Sequence, residues 1–161
     1  MNYTFDTQSE LKSWFVSEDY FPAIVQFSQE ELNNRYVKFS CRDSDMFELV
    51  GDSKTGIIKQ LTLTLCNTYE IIDKPLPVPN AEVGIMLLNE EEDVECEGFV
   101  VKVFQDGLRI DISVNDIHDY FRCGQLVFAF DESDSLVSLF VTDLLSENIS
   151  HVLRELNCND I

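Results

Sequence analysis

From about residue 35 onward, apolar and polar side chains alternate with a period of two, and that alternation sets most of the expected elements. Tyr36 to Cys41 and Met46 to Val50 read as strands, with Gly51 to Gly56 punctuating the chain before a third, Ile57 to Cys66. In that third strand Leu61, Leu63 and Leu65 face one way and Gln60, Thr62 and Thr64 the other, as in a half-buried antiparallel strand. Phe47 and Leu49 supply the same face on the preceding strand. Pro75, Pro77 and Pro79 then alternate strictly. Proline cannot donate to a ladder, so this run is expected to be an extended surface connection spanning one sheet edge.

Asp106-Gly107 is a type I′ hairpin signal that calls for positive φ at Gly107. With those two residues as the turn, Val103 faces Ile110, Val101 faces Ile112 and Phe99 faces Val114, while Lys102 faces Asp111 on the other side. Upstream, Val94 and Cys96 are the apolar set and Glu95 and Glu97 the polar one. The phase reverses at Gly98, where a bulge is expected. Asn115 to Arg122 reads as a helical turn. Gln125 to Phe130 and Leu136 to Thr142 read as a second hairpin.

Helical signals sit at the two ends. Thr7 with Glu10 fits a capping box, followed by Leu11, Trp14 and Phe15 at helical spacing. Pro22 favours extended chain from Phe21 to Phe27, and Ser28 to Leu32 fits a short helical turn. Near the C-terminus a helix is expected from Ser146-Glu147-Asn148, with Ile149, Val152, Leu153 and Leu156 as its docking stripe. The expected fold is therefore α+β: a mostly antiparallel sheet of hairpins with an N-terminal and a C-terminal helix packed against it. Without a repeat or long linker, residues 1–161 read as a single domain.

Composition narrows the function. The chain carries 30 acidic and 11 basic side chains, a formal charge of −19, yet 45% of it is hydrophobic, including twelve Phe. That apolar content argues against disorder, and the charge argues against direct binding to DNA, RNA or anionic lipid, which needs a basic patch. Cys41, Cys66, Cys96, Cys123 and Cys158 are dispersed with no C-x-x-C pair, a pattern expected of a reduced cytosolic protein. The opening Met1-Asn2-Tyr3-Thr4-Phe5-Asp6 lacks the charged and apolar regions of a secretory signal, and no apolar run approaches the ~18 residues of a membrane helix. The expected compartment is the cytoplasm.

Catalytic chemistry finds little support. His118 lies five residues before Cys123 with Asp116 nearby, but Phe121-Arg122-Cys123-Gly124-Gln125 forms no nucleophile signature. His151 falls between apolar positions of the last helix. The six glycines stand singly, so no phosphate loop is present. Asp131-x-Ser133-x-Ser135 begins like a calcium loop but has Leu136 where Gly is required and Thr142 where a bidentate Glu is required. No enzyme activity, metal or cofactor is expected.

The negative charge is concentrated. Glu90, Glu91, Glu92, Asp93, Glu95 and Glu97 place six carboxylates within eight residues; Asp131, Glu132 and Asp134 add three at a hairpin tip, and Asp43 and Asp45 two at another bend. Solubility of a small domain needs a net charge of only about 2–8, so a one-sign field this large points to steering toward a strongly basic partner. The stretch Phe47-Glu48-Leu49-Val50-Gly51-Asp52, followed by Thr55-Gly56-Ile57-Ile58 and Leu61-Thr62-Leu63, resembles the strand, D-x-x-T-G-x-I turn and strand of some immunity proteins. These are the small acidic proteins of bacterial polymorphic-toxin and contact-dependent growth inhibition systems. The resemblance implies an inhibitor that binds and occludes a cationic toxin domain, for which a nuclease is the natural candidate, without turnover. From charge placement alone, Glu90, Glu91, Glu92, Asp93, Glu95, Glu97, Asp131, Glu132 and Asp134 are the candidate toxin-binding residues. The alternative is a nucleic-acid mimic that sequesters a DNA-binding protein.

Overall fold

A computed structural model gives the fold for residues 3–158. Among them, strands β1 (Tyr3–Asp6), β2 (Trp14–Glu18), β3 (Phe21–Gln26), β4 (Asn34–Cys41), β5 (Asp45–Asp52), β6 (Ile58–Leu65) and β7 (Tyr69–Ile71) precede the proline run. After it come β8 (Glu82–Val83), β9 (Ile85–Leu88), β10 (Val94–Glu95), β11 (Val100–Val103), β12 (Leu108–Asp111) and β13 (Asp119–Cys123). The described chain ends with β14 (Leu126–Phe130), β15 (Leu136–Val141) and helix α1 (Ser146–Cys158). The described residues are thus mostly β with one C-terminal helix, which overturns the two-helix α+β expectation.

The strands form a six-stranded sheet, β10-β4-β5-β6-β3-β2, a seven-stranded sheet, β7-β11-β12-β15-β14-β13-β8, and the separate antiparallel pair β1-β9. Alternation makes one face of each large sheet apolar. Val25, Phe39, Phe47 and Leu63 from the first and Val101, Ile110, Phe128 and Leu139 from the second join one buried cluster, the core of a two-layer sandwich. Phe39 and Phe47 stack across β4 and β5 with centroids 4.6 Å apart, and Phe47 meets Phe99 at 5.9 Å. The expected stripe on α1 is present: Val152 and Leu156 are fully buried in this core, with Ile149 and Leu153 packed against it.

The N-terminal helix does not form. Trp14 pairs with Gln26 and Phe15 with Val25, so Phe15 turns to the core and Trp14 outward, a period-two use of the same residues. Trp-Phe-Val favours strand, and the open edge of β3 outweighs a capping signal worth about 1 kcal/mol. Ser28 to Leu32 is likewise not helical; the Ser28 hydroxyl accepts from the Glu30 amide at 3.2 Å. In place of a helical turn at Asn115 to Arg122, β13 pairs with β14 and sends Phe121 to the core and Tyr120 to the opposite face.

The β11–β12 hairpin forms with its register displaced by two residues. Val101 pairs with Ile110 and Val103 with Leu108, and the Phe104 amide donates to the Gly107 carbonyl at 2.9 Å. Gln105 and Asp106 are therefore the central residues, and Gly107 is not left-handed; among the described glycines only Gly56 and Gly124 have positive φ. Lys102 faces Arg109 but still reaches Asp111 at 3.0 Å. At Gly98 the chain leaves β10 in one sheet and enters β11 in the other, so the phase reversal marks a change of sheet and not a bulge.

The proline run does more than span an edge. β7 and β8 occupy opposite edges of the seven-stranded sheet, so residues 72–81 cross its whole outer face. Six strand spacings of about 4.8 Å make about 29 Å, and eleven residue steps of polyproline II at about 3.1 Å make about 34 Å, so the extended chain just reaches. Leu76 is buried against Phe104, Val127, Ala129 and Phe140, a second apolar cluster on the side away from the main core. The Leu76 amide donates to Asp106 Oδ1 at 2.8 Å and the Gln105 amide to the Lys74 carbonyl at 3.0 Å, which ties this strap to the β11–β12 turn.

Candidate functional site

Strand β1 connects the start of one acidic segment with the turn that carries the other. Tyr3 of β1 pairs with Leu88 of β9, after which the chain enters the exposed acidic loop at Asn89. The Asn89 side chain donates to Thr4 Oγ1 at 2.8 Å. The Tyr3 ring stacks on Phe130 at 4.1 Å, and its hydroxyl points at Asp134 Oδ1, 3.5 Å away on the β14–β15 turn. Next to it, His118 and Asp119 make an exposed pair at 2.9 Å. Asp116, Asp131 and Glu132 share a shallow depression with Val114, Asn115 and Ser133.

The electrostatics register the carboxylates around Tyr3 and His118. The Tyr3 phenol is pushed up to about 12, by burial first and then by the charge of Asp134, with Asp119 and Asp131 adding. His118 is raised by its bond to Asp119, with Glu132 and Asp134 adding to the same effect. Both groups sit in a field that disfavours any gain of negative charge.

The nine candidate carboxylates divide by what they already hold. Asp131 is buried, and its oxygens accept from the Ser133 amide at 2.9 Å, the Ser135 amide at 3.0 Å and Asn115 Nδ2 at 2.9 Å. Those bonds, led by the one from Ser135, hold its carboxyl below the usual range. Asp131 is therefore a turn former. Asp45 is used the same way, buried and accepting from the Asn67 amide at 2.7 Å. Glu91 Oε1 lies 3.4 Å from the Tyr36 amide and Asp93 Oδ1 3.3 Å from the Lys38 amide. These two carboxylates occupy the edge of β4 until β10 takes over, pairing Val94 with Phe39 and Glu95 with Ser40. Charged groups on a sheet edge discourage pairing with another chain. Glu90, Glu92, Glu95, Glu97, Glu132 and Asp134 remain exposed. As the alternation implied, Glu95 and Glu97 point away from Val94 and Cys96.

Sequence reasoning missed the outer face of the six-stranded sheet. A cleft of about 470 Å³ is lined there by Gln26, Asn34, Tyr36, Glu48 and Gln60, with Glu30 and Glu31 at its rim. A second hollow shares Tyr36 and Glu48 and adds Lys38, Glu91 and Asp93. Burial raises the Glu48 carboxyl, Lys38 opposes that, and Asp93 adds to it. Polar residues opposite a clean apolar face were the available signal; strand order, which joins Glu48 to the 90–93 loop, was not readable.

The remaining candidates take structural parts. Cys123 is buried in the core and its thiol is pushed up to about 11 by burial, so it does not supply a thiolate to the exposed His118. His151 is buried, with Nε2 3.0 Å from the Phe21 carbonyl and Nδ1 3.0 Å from Arg154 Nη2. In the D-x-x-T-G-x-I segment, Asp52 Oδ1 accepts from the Lys54 and Thr55 amides, both at 2.8 Å, and Gly56 is left-handed with a φ of 77°. A Cβ at Gly56 would stand 2.6 Å from the Leu88 carbonyl oxygen, so the motif builds a turn against β9. No helix among the described residues is long and apolar enough to cross a membrane. Comparison with protein-family models and with curated proteins finds no match.

Proposed function

We propose that this protein is an acidic binding protein of the immunity type, which occludes a cationic toxin domain in the cytoplasm by covering the surface that domain uses on its own substrate. The observation that carries the reading is the convergence at Tyr3. The small β1–β9 unit leads into the Glu90–Glu97 segment and sets Tyr3 against Asp134 of the 131–134 turn, more than thirty residues further along the chain. Exposed carboxylates on both segments suit a cationic surface. Glu90, Glu92, Glu132 and Asp134 are the proposed contacts; Asp131 and, on the β4 edge, Glu91 and Asp93 support the surface that presents them. Charges brought together across an interface set association rate and partner choice.

The test is binding to a purified cationic nuclease domain encoded beside this chain's gene. Calorimetry is expected to give a one-to-one complex and the nuclease to lose turnover in proportion. The association rate is expected to fall roughly tenfold or more between low and moderate salt. Reversing Glu90, Glu92, Glu132 and Asp134 to Lys should abolish inhibition while circular dichroism stays unchanged. A folded reversal variant that still inhibits, or a rate indifferent to salt, removes the acidic segments from the function.

A further inference from the structure

We propose that Cys41 and Cys96 form a dithiol cross-linking site, in which a disulfide fastens the β10 segment to the edge of β4. Parallel pairing places Val94 opposite Phe39 and Glu95 opposite Ser40, so the next step of the same register sets Cys96 opposite Cys41. The Cys96 amide donates to the Ser40 carbonyl at 2.7 Å, which carries the pairing up to that step. Side chains opposite one another share a face, and Cys41, Val94 and Cys96 all pack against the main core beside Phe39. Adjacent strands lie about 4.8 Å apart, inside the span of about 4.4–6.8 Å between Cα atoms that a disulfide bridges. Both cysteines are free thiols and half-buried, whereas Cys66 and Cys123 are buried. Burial pushes the Cys96 thiol up to about 11, and the nearby Cys41 adds to that. Thiolate is therefore scarce at neutral pH, and the pair responds to a sustained oxidant and not to a brief one.

The oxidant class is a small-molecule disulfide such as oxidised glutathione. One cysteine thiolate attacks it, forming a mixed disulfide and expelling one glutathione thiolate. The second cysteine thiolate then displaces the other glutathione as the Cys41–Cys96 bond forms. Two protein thiols are oxidised, the glutathione disulfide is reduced, and the two thiol protons end on the two glutathiones. Each exchange step also runs backwards, so an excess of reduced glutathione returns both cysteines to thiols. The cross-link is thus reversible. It would hold in place a two-residue strand that carries Glu95 and leads into Glu97.

The experiment equilibrates the full chain with oxidised glutathione at mildly alkaline pH, blocks residual thiols by alkylation and maps the peptides. The expected product is a peptide pair linked through Cys41 and Cys96, with Cys66 and Cys123 alkylated only after unfolding. Reduced glutathione should reverse the link, and Cys96→Ser should leave Cys41 carrying glutathione alone. Amide exchange across residues 94–96 should slow severalfold in the oxidised protein. Glutathione on both cysteines with no link between them overturns the site, as does the same linkage preference in urea-unfolded chain. Equal exchange in the two forms overturns the fastening.

Discussion

Gly107 is required for space and not for its backbone freedom. A Cβ there would lie 2.5 Å from Leu76 Cδ2 and 2.6 Å from the Val141 carbonyl oxygen, and the second of these is backbone and cannot step aside. Gly107→Ala is therefore expected to lower stability by about 1–3 kcal/mol, the usual cost of overpacking. Gly98→Ala, where a Cβ meets nothing within 4 Å, should stay within about 0.5 kcal/mol of wild type. Urea denaturation of the two variants checks both; equal losses would mean that packing does not distinguish these glycines. Asp111 supplies a prediction in pH. Burial alone would raise its carboxyl, but bonds from Ser138, Arg109 and Lys102 outweigh that and hold it below its ordinary value. A lowered folded-state pKa gives stability that is present above the unfolded value of about 3.9 and is lost as pH falls through the folded value. Asp111→Asn should cost roughly 1.5–3 kcal/mol at pH 7, the range for hydrogen bonds to charged groups. Its stability should also fall less than that of wild type between neutral and strongly acidic pH. Parallel pH curves for the two proteins would remove Asp111 from the acid transition.

Among the elements, those bounded by their own alternation were legible, and those decided by distant partners were not. β4, β5, β6 and α1 lie close to where the hydrophobic pattern puts them. β2 was misread because Leu11, Trp14 and Phe15 satisfy a helical spacing as well as an alternating one, and only the edge of β3 decides between them. The β11–β12 register slipped by two because such a shift leaves every side chain on its original face; the alternation constrains phase, not offset. The observed offset is the one that lets Asp106 accept from the Leu76 amide of the strap and sets β12 in register with β15, partners distant in sequence from the turn. The strap's own anchor is Leu76. Leu76→Ala is expected to cost about 2–5 kcal/mol, as for other buried leucines, and to speed proteolysis within residues 72–81. Unchanged cleavage in that segment would show that the prolines alone hold it down.

At the scale of the whole molecule, the charge excess was readable from composition, but its arrangement was not. Alternation correctly separated Glu95 and Glu97 from Val94 and Cys96. It said nothing of the Tyr3–Leu88 pairing or of the approach of the Tyr3 hydroxyl to Asp134. The turn role of Asp131 was available in principle, since an Asp followed by serines two and four residues on is a pattern for side-chain capping of a turn. A net charge of −19 also opposes compaction, because like charges repel more when held closer. Melting temperature should therefore rise as monovalent salt increases from about 0.02 to 0.15 M, the range in which the screening length shrinks to about 8 Å. Sodium, potassium and choline chlorides should act alike. A response to one cation alone would indicate a bound ion instead of screening.

The two halves of the chain trade edge strands. Residues ahead of the strap build five of the six strands of one sheet and lend β7 to the other; residues after it build six of the seven strands of that sheet and lend β10 back. Because the strap's ends lie on opposite edges, its full course depends on all the strands that lie between them. Long-range pairings of this kind slow the search for the native topology. They also mean that a single cut in the strap would sever the backbone without separating the pieces, each of which would still be stitched into the other's sheet. The chain is in effect a dimer of two unlike halves that happen to share one covalent thread.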